Sequence, residues 1–267
     1  VHAGHAGGVL VYGNGGGVLR ANRVHGHAQA NVRLTEGATC TLEGNVVHEG
    51  EDCGVVLVGC SCLVTRNEIH HTRKAGLLAH GDATAPLLVA NKIHHSHQAG
   101  VYAYDGSSAA LVGNEIASNF GAGVLVTERA APLLLHNRIY GGDDAGVLAH
   151  DDARGTLRGN NIYNNRTYAV TALGGGRLTL RRNWLHGARQ GGILVDEGGS
   201  MEVEDNEIEA NAKSGVMLRN AASARLRRNR IRDGRDAGVH VLKGASGELE
   251  DNDIFGNEQA GVAVESG

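Results

Sequence analysis

Leu111-Val112-Gly113-Asn114-Glu115-Ile116-Ala117-Ser118-Asn119-Phe120-Gly121-Ala122-Gly123-Val124-Leu125-Val126 returns 23 residues later as Leu134-Leu135-His136-Asn137-Arg138-Ile139-Tyr140-Gly141-Gly142-Asp143-Asp144-Ala145-Gly146-Val147-Leu148-Ala149. The shared frame is Leu-x-x-Asn-x-Ile, then a small residue and Gly-Val nine residues past the asparagine. Its asparagine recurs at Asn22, Asn45, Asn67, Asn91, Asn114, Asn137, Asn160, Asn183, Asn206, Asn229 and Asn252. The intervals are 23, 22 and 24 residues, then 23 throughout. The arc from asparagine to Gly-Val never changes length, so both irregularities fall in the other arc and mark a turn. Such a period signals a repeat architecture.

Within each repeat the apolar residues alternate as half-buried strands do: Val101 and Ala103, Val124 and Val126. Two further columns pass through Leu88, Leu111 and Leu134 and through Ile93, Ile116 and Ile139. Three short strands and three turns per repeat predict one coil of a parallel β-solenoid. The fold expected is all-β, one right-handed β-helix domain over residues 1–267, with 11–12 coils of about 23 residues. Stacked at the strand spacing of about 4.8 Å, the asparagines form an internal ladder whose amides bond one another. Charges support the same register. Glu68, Lys92, Glu115 and Arg138, then Glu207, Arg230 and Asp253, follow the ladder asparagine with alternating sign. Arg182, Asp205, Arg228 and Asp251 do likewise one residue before it.

Composition agrees. The chain has 41 glycines, only two prolines, and nine aromatic rings among 267 residues, unlike an ordinary ring-packed core. A net charge of -4 gives no footprint for nucleic acid. No apolar run is long enough to span a bilayer, and Val1-His2-Ala3-Gly4-His5 does not read as a signal peptide. Cys40 and Cys62 share a column one coil apart, and Cys53 replaces the alanine of a tight corner. Buried reduced thiols are expected, which favours a cytoplasmic setting, although a Cys40–Cys62 disulfide is geometrically conceivable. The chain opens and closes in mid-repeat, so flanking segments or end-to-end self-association are expected.

Two surface constellations carry candidate chemistry. In the turn after the first strand lie His80 and Asp82, Tyr104 and Asp105, Glu128 and Arg129, then His150, Asp151 and Asp152. Asp105, Glu128 and Asp151 share a column, an arrangement that raises carboxylate pKa values or recruits Ca²⁺. With Tyr104, Arg129 and His150 it is suited to abstracting a proton beside a uronic carboxylate or protonating a glycosidic oxygen. The second is a histidine column, His25, His48, His70 and His94, with His71 and His95 beside it, a candidate transition-metal site. For each, a solvated polar face is the competing explanation.

The Asn-Glu-Ile and Asn-Arg-Ile alternation, the Ala-Gly-Val corners and the turns Thr84-Ala85-Pro86 and Ala130-Ala131-Pro132 resemble right-handed parallel β-helices of the carbohydrate-binding and sugar-hydrolase repeat type. The run Leu249-Glu250-Asp251-Asn252-Asp253-Ile254-Phe255-Gly256-Asn257-Glu258-Gln259-Ala260-Gly261-Val262 is similar to the β-helix of F-box-only proteins. That resemblance implies recognition of a protein partner. No run matches an alginate-epimerase or pectate-lyase catalytic motif, and no Thr-x-Thr column suggests ice binding. The favoured expectation is therefore a non-catalytic, cofactor-free interaction module with a long surface for a protein or glycan. The alternative is a polysaccharide lyase, epimerase or hydrolase using the acidic turn.

Overall fold

The computed structural model describes residues 1–242 and 244–265 and contains strands and turns throughout, with no helix among them. Three parallel sheets run the length of the molecule. The first holds twelve strands, from Val9–Val11 to Val262–Val264; the second holds eleven, from Gly16–Arg20 to Ser246–Glu250; the third holds eleven, from Arg23–His25 to Asp253–Phe255. Every strand pairs with its counterparts one coil away, so the repeat columns are also the sheet registers. Val101 faces Val124 and Val124 faces Val147; Leu111 faces Leu134; Ile116 faces Ile139.

The two irregular intervals sit in one place. Between the first and second sheets the chain runs from Val58 to Leu63 in one coil and from His80 to Leu87 in the next, while His80 still pairs with Val58 and Leu87 with Leu63. The longer turn is held by Thr84, whose buried hydroxyl donates to the His80 carbonyl at 2.6 Å and accepts from the Gly59 N–H at 2.7 Å.

The interior is aliphatic. Leu88, Leu111, Leu134, Ile93, Ile116, Ile139, Val101, Val124 and Val147 are fully enclosed, and no aromatic ring joins that cluster. The invariant size of the corner follows from this packing. A Cβ placed on Gly146 would lie 2.4 Å from Ile162 Cγ2 and 2.6 Å from the Ala169 carbonyl oxygen. The isoleucine column of the third sheet is thus what demands glycine before most first-sheet strands; Asn31 and Ala169 are the exceptions, in coils where the column holds Val47 and Leu185.

From Asn45 to Asn229 every amide group of the ladder is spent. Asn137 Nδ2 donates to Asn160 Oδ1 at 3.0 Å and to the Leu111 carbonyl at 2.9 Å. Its Oδ1 accepts from the Asn114 backbone N–H at 2.8 Å and from Asn114 Nδ2 at 3.0 Å. A second, half-occupied ladder lies five residues further on. Asn119, Asn165, Asn211 and Asn257 occupy alternate coils, and each Oδ1 accepts the N–H of the small residue in the coil before: Ser96, Gly142, Ala188 and Gly234.

The thiols of Cys40, Cys53, Cys60 and Cys62 are buried and free. Cys62 Sγ accepts the Cys40 N–H at 3.3 Å and contacts the Ala38 carbonyl at 3.2 Å, so the column is packed as reduced sulfur. Burial pushes the Cys53 thiol up to about 11, far from the thiolate a nucleophile requires.

Replacing Asn137 by alanine leaves the Asn114 N–H without its acceptor and strips one hydrogen bond each from the Asn114 amide, the Asn160 amide oxygen and the Leu111 carbonyl in a dry interior. Each such group costs about 1–3 kcal/mol. The expected loss is about 3 kcal/mol or more in urea denaturation, whereas Asn22→Ala, on the exposed first coil, costs under about 1 kcal/mol.

Candidate functional site on the first sheet

On the first sheet the second position of each strand and the fourth, which in the three-residue strands lies just past the strand end, face away from the core, although Thr127 is itself buried by its neighbours. Over four coils they place Leu78 and His80, Tyr102 and Tyr104, Leu125 and Thr127, then Leu148 and His150 side by side. The Tyr102 and Tyr104 rings stack with centroids 4.7 Å apart, and Tyr104 stacks on His80 of the preceding coil at 4.8 Å. Tyr102 Oη lies 3.2 Å from Thr127 Oγ1, which fixes the ring pair. One flank of these rings is a trough of about 310 Å³ lined by His97, Ala99, Tyr102, Leu125, Asp144 and Leu148. The other flank is the acidic turn. Burial holds the His80 imidazole below its ordinary value, although Asp105 and Glu128 pull the other way. Burial, then Tyr102 and the carboxylates of Glu128 and Asp105, push the Tyr104 phenol up. At neutral pH a neutral imidazole therefore stacks against a protonated phenol.

Asp105, Glu128 and Asp151 do share a column, and their common backbone is left-handed, with φ of 51°, 51° and 54°. Aspartate tolerates that region, and glycine takes the same place at Gly59, Gly81 and Gly174. The three carboxylates do not converge. Arg129 leans to 3.8 Å from Asp105, and His150 Nδ1 lies 2.9 Å from Asp151 Oδ2. The turn therefore displays acid–base groups singly along the rings and does not form a cage around Ca²⁺.

The histidine column exists as a stack. His25 and His48 are 4.6 Å apart, His48 and His70 5.0 Å, and His70 and His94 5.1 Å. Among the described residues the three ligand-type atoms that lie within 4.8 Å of one another belong to His25, His48 and Glu49. His48 is nevertheless committed elsewhere, because Arg23 Nε donates to its Nε2 at 3.2 Å. Beyond a gap at Ala117 the column resumes as Tyr140, Tyr163 and His186, stacked at 4.7 and 5.1 Å.

Two features escaped the sequence reading. The trough was hidden because it lies between a strand and the turn of the same coil, and no column of one residue type traces it. A wider groove of about 780 Å³ follows the second sheet past Leu133, Arg154, Thr156, Arg177, Thr179 and Glu202. There the sign alternation breaks: Arg154 faces Arg177 and Arg158 faces Arg181. Of these four, only Arg181 finds a carboxylate among the described residues, Glu204 at 2.9 Å. The adjacency of those arginines was readable from the 23-residue period.

A family model described as the right handed beta helix region matches residues 1–91, 86–193 and 135–267. The chain belongs to the right-handed β-helix family. Its structure is similar to that of a periplasmic alginate epimerase, at 12% identity, covering 92% of this chain and 76% of that one with a TM-score of 0.75. It is also similar to a mannuronan C-5 epimerase module from Azotobacter vinelandii, at 14% identity, covering 96% and 83% with a TM-score of 0.63. A second such module from that organism gives 15% identity, 98% and 84% coverage and a TM-score of 0.58. At these identities the likeness is one of fold. No curated protein sequence matches the chain. Neither the family match nor these structures bears on a closer likeness to F-box-only proteins.

The histidine stack makes stability depend on pH. Burial, then the neighbouring His94, His48 and His71, push His70 down to about 4. The unfolded chain takes up that proton near 6.5, so the stabilisation is complete above about pH 6.5 and is lost as pH falls toward 4. The melting temperature is expected to drop over this range, and to drop less in His70→Gln; equal slopes would refute the assignment.

Proposed function

We propose that this β-helix acts on a polysaccharide that lies along the outer face of the first sheet, over the coils carrying His80, Tyr104, Thr127 and His150. The observation that carries this reading is the stack of His80, Tyr104 and Tyr102 between an apolar trough and a row of carboxylates. Sugar rings present an apolar face and a polar rim, and aromatic rings beside hydrogen-bonding groups match both. Successive coils repeat at about 4.8 Å, close to the rise of a sugar unit in an extended chain. The proteins of known structure that share the fold include epimerases of alginate and mannuronan, which is consistent with a glycan partner.

His80 and Tyr104 have the protonation states for acid–base work. The neutral imidazole is able to take a proton from a sugar carbon or hydroxyl, and the phenol to give one. Asp105 and Glu128 stand beside them, Arg129 is placed to meet a substrate carboxylate, and the His150–Asp151 pair lies further along the same column. The second-sheet groove is larger but holds no aromatic ring, and Arg225, which lines it, is paired to Glu248 at 2.8 Å.

The interaction-module reading keeps one specific observation. Leu87 and Leu133 remain 43% and 38% exposed on the second sheet, with Leu63 in the same outward column, and such a strip suits a protein partner.

A glycan array followed by incubation with uronate polymers tests the proposal. Retention of an acidic polysaccharide is expected, weakened about tenfold by Tyr102→Ala or Tyr104→Ala, in keeping with the worth of an aromatic contact. Tyr104→Phe should keep binding and lose turnover, seen as unsaturated product or altered uronate composition. Absence of any retained glycan overturns the reading. Loss of binding on Arg177→Ala with none on Tyr104→Ala moves the glycan to the second sheet.

A further inference from the structure

Three successive turns after the third sheet carry the dipeptides His48-Glu49, His70-His71 and His94-His95. Their second residues leave the chain in the same left-handed conformation, with φ of 52°, 52° and 54°. This outer column is distinct from the stacked inner one. His71 and His95 have parallel rings, 5.1 Å apart and 4° from coplanar alignment, and both are exposed. Each is backed by the inner histidine of its own coil, with Nδ1 to Nδ1 distances of 2.7 Å in both pairs.

Proton accounting separates ligands from supports. His94 Nε2 lies 3.1 Å from Glu68 Oε1, and a carboxylate accepts, so His94 carries its proton on Nε2. Its Nδ1 must then accept from His95, which holds the His95 proton on Nδ1 and turns the lone pair of Nε2 to solvent. A carboxylate behind an imidazole behind the ligating imidazole is the arrangement by which metal-binding histidines are oriented and made more basic. The group selected by proximity alone, His25, His48 and Glu49, fails the same accounting. Arg23 Nε occupies the Nε2 lone pair of His48, which places the His48 proton on Nδ1, 3.4 Å from Glu49 Oε2. Glu49 itself is 67% exposed and stands one coil before His71 in the same outer column.

We infer that this turn is a binding site for a first-row transition-metal dication, with Nε2 of His71 and His95 as imidazole ligands and Glu49 as the carboxylate. His70 and His94 are positioning residues, and Glu68 orients His94. The donor set, two neutral imidazoles and a carboxylate, suits Zn²⁺, Ni²⁺ or Cu²⁺ and not Ca²⁺. Nitrogens sharing one ion sit about 4 Å apart at most, since each bond is about 2.0–2.1 Å. At a tetrahedral ion the two nitrogens sit about 3.4 Å apart, so the parallel rings must tilt until their lone pairs converge, closing the gap by roughly 0.9 Å each. The site is independent of the polysaccharide face, which lies on another sheet.

Titration calorimetry of the whole chain with Zn²⁺ and with Ni²⁺ tests this. One ion per chain is expected, with His71→Ala or His95→Ala weakening affinity at least tenfold and the double variant abolishing it. Glu49→Gln should weaken it severalfold, Glu68→Gln less, and His25→Ala should leave it unchanged. Because a variant can fail by misfolding, the wild-type chain is also treated with diethyl pyrocarbonate. Zn²⁺ should protect the peptide carrying His71 and the peptide carrying His95 from modification, and a chelator should restore it. Metal affinity indifferent to the double substitution, or modification indifferent to Zn²⁺, overturns the assignment.

Discussion

The saturated asparagine amide is the constraint on which the rest of the structure depends. An amide in a dry aliphatic interior needs partners for two donors and two lone pairs. Here the next coil, the previous coil and the backbone supply all four, as at Asn137. That requirement fixes one asparagine above another, and with it the register of every coil. A slip of one residue would leave donors and acceptors unmatched along the whole stack and would turn the valine, leucine and isoleucine columns outward. The glycine corner is the second half of the same constraint, because the isoleucine methyl fills the volume a Cβ would need.

Regularity of this kind confines variation to the turns. The arc from the ladder to the first sheet carries both the asparagine bonds and the glycine corner, and it has no slack. The turn between the first and second sheets has neither, and it absorbs both the missing residue after Val58 and the extra residue before Leu87. The candidate acid–base residues lie in that same turn or on the strand entering it. Chemistry is thus carried where the backbone is free to differ from coil to coil, and is held in place by a sheet that does not.

Much of the fold was legible because columns of one residue type write the register directly into the sequence. Asn114 over Asn137, Glu115 beside Arg138 and Val124 beside Val147 are the same fact read three times. The half-occupied ladder of Asn119, Asn165, Asn211 and Asn257 was missed because its period is two coils and glycine or alanine stands between. The candidate site was legible only in part. His80, Tyr104, Asp105, Glu128 and His150 were found as turn residues, but Tyr102, Leu125 and the trough beside them depend on side-chain stacking across coils. The spread of the acidic column could not be read either. Sequence places the Cα atoms in register, but Arg129 and the His150–Asp151 pair decide where the carboxylates point.

Backbone hydrogen bonds between coils run in both senses: Val124 donates forward to Gly146, and Thr127 donates back to Ala103. Their dipoles largely cancel, as in any parallel sheet. The bonds between ladder amides do not alternate. From Asn22 to Asn229 each Nδ2 donates to the Oδ1 of the following coil, so every carbonyl oxygen faces the first coil and every amino group faces the last. The cylinder is therefore electrically polar along its axis, negative toward its amino end and positive toward its carboxyl end, much as an α-helix is but with the sign reversed and the charge carried by side chains. Polarisation passed from amide to amide reinforces the sense of the whole chain, so a single flipped asparagine would oppose both its neighbours.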